Sequence, residues 1–415
     1  MKLQAPKGTD DNFLENTNVW HYVEKTASEI FELSNFKEIR TPIFEYTEVF
    51  ARGVGESTDI VNKEMYTFEK GDRSYTLRPE NTAGVVRAYI QNGLFKRPAP
   101  QKLWYCGPMF RYERPQGGRR RQFHQIGMEM FGIANASADA EVILTAMKLF
   151  KRLNLSNLTL HLNNIGCPAC RNDYKEKIKE SLKDKLDKLC DDCKRRYNTN
   201  PLRLLDCKNE TCQNIYSEEP TNSIINSDFI CDTCKSNYDD LIFILDESKI
   251  DYKFNKKLVR GLDYYNGAVF EITSDNLGAQ NAICGGGRYD GLVKLLGGPD
   301  TPAVGWALGM ERLTSLLQYE KEEKIDAFIV TDNHNRAVVL ADILRNSKLK
   351  VEMAFSGSKL GKQLEKANKF NAKFAVIMGS EELENNYYTV KNLQTGDQFK
   401  YEISDMIACL ITNKE

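Results

Sequence analysis

The stretch RYERPQGGRRRQFHQIGMEMFG, residues 111 to 132, sets five arginines in and around a glycine-bearing loop between apolar runs. Arginine stays protonated and its planar guanidinium matches phosphate oxygens in pairs, so such a loop suits a phosphorylated ligand. In a strand, residues two apart share a face. The second half of the stretch therefore places Phe123, Gln125, Gly127 and Glu129 on one face and His124, Ile126, Met128 and Met130 on the other, while Arg111 and Glu113 share a face in the first half. Folding the strands back through the loop brings Arg111 to the face of Gln125 and Glu129. The result is a floor with a cation and a carboxylate, fit for a ligand that carries both a phosphate and a positive group. A solvated hairpin whose arginines pair with surface acids would account for the loop arginines. It does not account for Arg111 and Glu129, each set in an apolar strand where an unpaired charge is costly.

Cysteines form the second constellation. Cys167/Cys170, Cys190/Cys193 and Cys231/Cys234 are C-x-x-C pairs, and Cys207/Cys212 is C-x-x-x-x-C. Eight thiolates in four close pairs are what one or two tetrahedral four-cysteine zinc sites need; the alternative is reduced, unligated cysteine. Spacing does not say which pairs combine. Cys106, Cys284 and Cys409 are isolated and read as core thiols, and with four histidines in the chain mixed Cys/His sites are not expected.

These groups must be held by elements. Residues 12 to 34 carry apolar positions at helical spacing, and FKEIRTPIFEY after them reads as a strand. Residues 65 to 77 read as a hairpin turning at Gly71 and Asp72, followed by a helix in NTAGVVRAYIQNGL. A long strand, the arginine loop and a second strand occupy 102 to 133. Charged helical segments join the cysteines in an insertion at about 167–240. Strand-rich sequence resumes at KLVRGLDYYNGAVFEIT, and AICGGGRYDGLVKLLG and AVGWALGMERLTSLLQ each pass into a helix. After the charged QYEKEEKID the pattern becomes βαβαβ, which predicts a mostly parallel sheet in a C-terminal α/β domain. The expected domains are 1–322 and 323–415.

Bulk composition narrows the partners. With 57 lysines and arginines against 58 acids, the chain is no globally basic nucleic-acid binder, so any phosphate site is local. MKLQAPKGTDDNF lacks an apolar core and no run of about 18 apolar residues occurs. A soluble cytoplasmic protein is expected, with no membrane contact, in which the cysteines are thiols or metal ligands.

FRYERPQGGRRRQFHQIGMEMFG closely resembles motif 2 of class II aminoacyl-tRNA synthetases, in particular the histidyl-tRNA synthetase family. TPIFEYTEVFARGVGESTDIV (41 to 61) resembles motif 1, AVGWALGMERL (303 to 313) motif 3, and LVRGLDYYNGAVFE (258 to 271) and GGGRYDGL (285 to 292) the two histidine-binding motifs. The resemblance implies an α+β fold: a class II antiparallel sheet flanked by helices, interrupted by the cysteine-rich insertion and followed by an anticodon-binding domain. It implies a homodimer, and a reaction in which histidine and ATP, with Mg2+, give histidyl-adenylate before histidine passes to the 3' end of histidine tRNA.

Residue by residue, the resemblance implies ATP contacts from Arg111, Glu113, Arg119 and Arg312. It places Arg260 as the catalytic arginine between the histidine carboxylate and the α-phosphate, with Arg111 on the α-phosphate. Histidine binding falls to Glu80, Thr82, Arg111, Gln125, Glu129, Arg260, Tyr264, Tyr265 and Tyr289, the imidazole nitrogens going to Glu129 and Tyr265. Arg114 and Gln116 are expected at the tRNA acceptor end. Asn81 stands where the family often has glycine, which puts the local backbone in question. A salt bridge to Asp263 is the structural alternative for Arg260. Zinc has no part in the activation chemistry, so one or two structural Zn2+ ions are expected at the eight cysteines. Two rival functions remain: a catalytically silent, histidine-sensing regulatory subunit of ATP phosphoribosyltransferase, and a zinc-stabilised RNA-binding module.

Overall fold

The computed structural model describes the chain except for residues 1–2, 14, 56–57, 116–117, 279–280, 320–323, 356–357 and 414–415. It divides into two compact units, Met1–Tyr319 and Glu320–Glu415. The first is built from β1 (Lys37–Glu38), β2 (Phe44–Tyr46), β3 (Tyr66–Lys70), β4 (Arg73–Leu77), β5 (Gln101–Phe110), β6 (Gln122–Phe131), β7 (Leu158–Asn164), β8 (Tyr252–Phe254), β9 (Asn266–Ser274), β10 (Ala282–Arg288) and β11 (Ala303–Gly309). Eight of these form one sheet in the order β1-β5-β6-β11-β10-β9-β7-β8. Its central pairs are antiparallel, and only the two flanking pairs, β1 with β5 and β7 with β8, run parallel.

Alternation along the strands assigns the faces. Ile126, Met128, Met130, Trp306 and Leu308 point to the back, where they pack with Val23, Ala27 and Phe31 of the helix Glu15–Leu33 and Val142, Ile143 and Leu149 of the helix Ala136–Arg152. Trp306 also donates its indole N–H to Val142 O at 2.8 Å, so this back-face ring has its one polar atom paired. Gln125, Gly127 and Glu129 of β6 stand beside Gly309, Ala307 and Gly305 of β11, and Ala307 and Gly305 beside Gly285 and Gly287 of β10. Side chains this small leave the front face hollow.

The expected strand over 36 to 46 is broken in two. β1 joins the large sheet, β2 joins a three-stranded sheet in the order β2-β4-β3, and Pro42, which has no N–H to give a ladder, lies between them. The hairpin of β3 and β4 turns at Gly71, whose φ is +65°. The insertion is helical (Pro168–Leu182, Asp191–Thr199, Glu210–Tyr216, Thr221–Asn226 and Asp232–Glu247) around a small core that includes Tyr174, Ile178, Leu204 and Tyr216. Its last helix roots it in the main core through Leu241 and Leu245.

The second unit holds β12 (Ile325–Thr331), β13 (Val351–Met353), β14 (Ala372–Met378), β15 (Tyr388–Asn392) and β16 (Gln398–Tyr401), in the order β13-β12-β14-β15-β16. The first three are parallel with helical crossovers; β15 and β16 add an antiparallel edge that the βαβαβ reading did not contain. Among the described residues no helix is long and apolar enough to cross a membrane.

Candidate active site

The hollow front face opens into a cleft of about 1180 Å³. It is lined by residues from every motif singled out in the sequence, among them Glu80, Arg111, Gln125, Arg260, Tyr265 and Arg312. Bonded to Thr82 of this lining, and buried behind it, is Glu129, 1% exposed. Thr82 donates its hydroxyl to Glu129 Oε1 at 2.7 Å and Tyr289 donates to Oε2 at 2.5 Å, with Tyr105 3.4 Å from Oε1. Burial pushes this carboxyl up to about 8 against the pull of the Tyr289 and Thr82 hydroxyls.

Glycine makes the room. A Cβ on Gly305 would stand 2.0 Å from Glu129 Oε2 and 2.3 Å from Met128 O, the second a backbone atom that cannot swing away. Gly305→Ala is therefore expected to lower stability by roughly 1–3 kcal/mol through overpacking, read as a lower urea midpoint; an unchanged midpoint would show that the sheet can spread at β11.

Around this carboxylate, Glu80 takes the N–H groups of Thr82 (2.7 Å) and Ala83 (2.9 Å) at the start of the helix Thr82–Gln91. Burial raises its pKa, and those two donors oppose the rise. Asn81, ahead of that helix, adopts φ −119° and ψ −9°, a conformation open to any residue, and its Oδ1 accepts from Thr41 at 2.6 Å. The backbone question raised by Asn81 is thereby answered: glycine is not required. Tyr264, Tyr265 and Tyr289 cluster beside Glu129, the first two rings 4.6 Å apart. Burial pushes the Tyr265 phenol up to about 12, so it remains a protonated donor at neutral pH. Gln125 keeps a buried Oε1 without a hydrogen-bond partner among the described residues.

Arg260 does not pair with Asp263. Its Nη1 bonds Glu271 Oε2 at 2.7 Å, its Nε is buried and without a partner among the described residues, and Asp263 takes Asn200 Nδ2 at 2.6 Å. Burial alone would lower the Arg260 pKa, but Glu271 holds it raised. A Cβ on Gly285 would meet Arg260 Nη2 at 2.0 Å, so the guanidinium lies flat on a glycine floor.

The other end of the cleft is cationic. Arg111 lies one residue past the end of β5, so it is not itself a strand residue, although its N–H still bonds Arg121 O at 2.9 Å. Register keeps it on the face of Gln125 and Glu129, where Nε donates to Pro79 O at 2.8 Å and the head sits 5.2 Å from the Phe123 ring centre. Glu113 bridges Arg111 (3.8 Å) and Arg119 (3.1 Å). Arg312 donates to Ala282 O at 2.7 Å, and its stem would touch a Cβ at Gly118 at 2.8 Å, which joins the loop to the third motif. Arg114 is exposed, and Gln116 lies outside the described residues. Three neighbours went unnoticed in the sequence: Tyr105, Glu271 and Asn200. The parity of β5 was the available signal for Tyr105; nothing in the spacing marks the other two.

The eight cysteine thiols of the insertion gather in two groups: Cys167, Cys170, Cys231 and Cys234, and Cys190, Cys193, Cys207 and Cys212. In each group the sulfurs lie within 4.8 Å of one another, a geometry compatible with a metal ion.

Comparison with known proteins agrees with this geometry. A family model described as Histidyl-tRNA synthetase matches residues 8–190 and 230–313, and one described as Anticodon binding domain matches 323–413. A histidine--tRNA ligase from Caldanaerobacter subterraneus subsp. tengcongensis is 48% identical, with 98% of this chain and 99% of that protein covered. One from Thermosipho melanesiensis is 48% identical with 95% of each covered. The crystal structure of apo S. aureus histidyl-tRNA synthetase superposes with a TM-score of 0.81 at 36% identity, covering 99% of this chain and all of the other. A Bacillus halodurans chain titled as an ATP phosphoribosyltransferase regulatory subunit/histidyl-tRNA synthetase shares the fold, with a TM-score of 0.65 at 21% identity over 92% of this chain and 99% of that one. On the breadth of these matches, which run through both units, the chain belongs to the histidyl-tRNA synthetase family.

Proposed function

We propose that the cleft activates L-histidine with ATP and that the chain then transfers histidine to the 3' end of histidine tRNA. The observation that carries this reading is one cleft lined at one end by Thr82, Tyr264 and Tyr265, which stand against the buried Glu129 carboxylate, and at the other by arginines from two separate motifs, with Arg260 also in its lining. Histidine has an imidazole N–H for Glu129 and a ring nitrogen that accepts from Tyr265. A buried site built on such pairs rejects side chains that leave them unmade. Glu80, Thr82 and Gln125 hold the α-amino and carboxylate groups, and Tyr264 and Tyr289 close the wall.

The chemistry needs fixed charge more than a nucleophile from the protein. A carboxylate oxygen of histidine attacks the α-phosphorus, pyrophosphate leaves, and negative charge builds on the phosphoryl oxygens. Arg111 serves the α-phosphate, and Arg119 and Arg312 the outer phosphates, with Glu113 orienting the loop arginines. Arg260 spans the histidine carboxylate and the α-phosphate, countering both charges as they meet. ATP brings Mg2+ as part of the substrate. In the second step a ribose hydroxyl of the tRNA attacks the adenylate carbonyl and AMP departs. Arg114 and Gln116 serve the acceptor end of the tRNA.

Residues 323–415 read the anticodon, and the cysteine-rich insertion takes a structural part with zinc as its metal. The chain works in the cytoplasm as a homodimer. The three-stranded sheet, which exposes Phe44 and Tyr46 in the segment resembling motif 1 and Phe68 beside Phe44, offers the apolar surface such a dimer covers. A chain ending at residue 319 is expected to keep histidine-dependent pyrophosphate exchange within a few-fold, provided it dimerises, and to lose most tRNA charging. Charging unchanged by the truncation would remove the C-terminal unit from tRNA recognition.

A further inference from the structure

The two thiol groups are nested along the chain. The outer pairs, 167/170 and 231/234, meet each other, and the inner pairs, 190/193 and 207/212, meet inside the loop that the outer pairs close. A Zn2+ with four sulfurs at about 2.3 Å sets them about 3.8 Å apart. Cys167 and Cys170 have their sulfurs 3.5 Å apart, and Cys190 and Cys207 3.9 Å.

In each group, backbone N–H groups point at sulfur. Cys234 accepts from the N–H of Cys167 (3.3 Å) and Cys170 from that of Cys231 (3.1 Å); in the other group Cys212 accepts from Cys190 (3.3 Å) and Cys207 from Asn209 (3.4 Å). The Tyr216 hydroxyl adds a donor to Cys193 at 3.2 Å. Donors aimed at sulfur are the outer shell that a metal-bound thiolate uses. Thiols merely filling a core would not need eight side chains to converge on two points.

The placement of the inner group matters more. Cys190 and Cys207 line the cleft. The segment that this group closes carries Arg195, which bonds Asp59 at 2.6 Å, Asn200, which bonds Asp263 at 2.6 Å, and Arg203, which bonds Gly261 O at 3.0 Å. Beside the outer group, Arg171 donates to Tyr265 O at 2.5 Å and stands 3.4 Å from Asp263 O. Residues 260–265, which bear Arg260 and two tyrosines of the wall, are thus held by side chains from the segments beside both thiol groups. Most of the inner grip lies in residues 191–229, between the two segments that the family model matches.

We propose that the insertion holds two separate Zn2+ ions, one on Cys167, Cys170, Cys231 and Cys234 and one on Cys190, Cys193, Cys207 and Cys212, and that the second positions residues 260–265 in the cleft. The positioning half rests on the reading of that segment as the histidine wall; the metal half does not. Hard metals such as Mg2+ prefer oxygen ligands, and a closed set of four thiolates leaves no open position for catalysis.

The test starts from metal content, which is independent of activity. Elemental analysis of the full chain is expected to give two zinc per chain, and Cys207→Ser and Cys231→Ser are each expected to keep one. Less than one zinc per chain, iron in its place, or two zinc retained in either variant would overturn the assignment. Because a cysteine variant can fail to fold, cobalt substitution of the unaltered chain provides a second reading. Two equivalents with the ligand-field bands of tetrahedral tetrathiolate support it, and spectra of octahedral cobalt refute it. Asn200→Ala, which removes no thiol, tests the positioning. It is expected to keep both zinc ions and to raise KM for histidine about tenfold with kcat less affected, while an unchanged KM with both ions present would sever the inner site from the cleft. Two zinc ions in a chain that activates no amino acid would leave the metal sites standing and sink the reading of function.

Discussion

Arg260→Ala lowers the rate of histidyl-adenylate formation by about 10³-fold or more, with circular dichroism and thermal midpoint close to those of the unaltered chain. The magnitude follows from removing one fixed charge where charge develops in the transition state, which for a single hydrogen-bond donor already costs about 10²–10³. The fold is expected to survive because the side chain lies on Gly285, whose missing Cβ makes its space, and its one ion pair among the described residues is with Glu271. Arg260→Lys, which keeps charge but loses the planar fork, should recover only part of the rate. Near-normal exchange by Arg260→Ala would take Arg260 out of the mechanism and leave its link to Glu271 as a structural pair.

The second large effect is at Glu129. Glu129→Gln is expected to lower kcat/KM for histidine about 10²-fold, since an amide N–H would face either the imidazole N–H or the hydroxyls of Thr82 and Tyr289. The pH dependence carries a sign. An imidazole N–H binds the ionised carboxylate better than the protonated one. With the free carboxyl pushed up to about 8 by burial, histidine binding below that pH must expel its proton. Affinity for histidine should therefore rise with pH toward about 8 and level off above it. Subtracting the Glu129→Gln profile isolates this limb from the titration of histidine itself; identical profiles for the two proteins would mean that Glu129 does not titrate in contact with the substrate.

Much of this site was legible because strands keep strict parity. Once 122 to 131 reads as a strand, Gln125 and Glu129 must share a face with the arginine loop, and the register confirms it through Gly107 opposite Gln125 and Leu103 opposite Glu129. The same parity puts Tyr105, opposite Gly127, on that face as well. Arg111 was read as a strand residue and lies just beyond one, a shift that leaves its face unchanged.

What stayed hidden depends on long-range pairing. Glu271 rather than Asp263 meets Arg260 because the guanidinium lies on Gly285 of β10, which pairs with Glu271 of β9, a neighbourhood that proximity along the chain misrepresents. The cysteine partners are a case of the same kind: each C-x-x-C is local, but 167 meets 234 only after the helices between them have folded. Pro42 split an expected strand between two sheets, and the edge strands β15 and β16 were missed where TVKNLQTGDQFKYE mixes polar and β-branched residues without a strong apolar face.

The central claim, that the cleft selects histidine and joins it to ATP, is tested most directly by pyrophosphate exchange on the purified full-length chain, with each of the twenty amino acids in turn and no tRNA present. The account predicts exchange with histidine alone. Exchange with a different amino acid would contradict the assignment of Glu129 and Tyr265 to the imidazole, and histidine binding without any exchange would contradict the catalytic reading and favour a histidine-sensing protein built on the same fold.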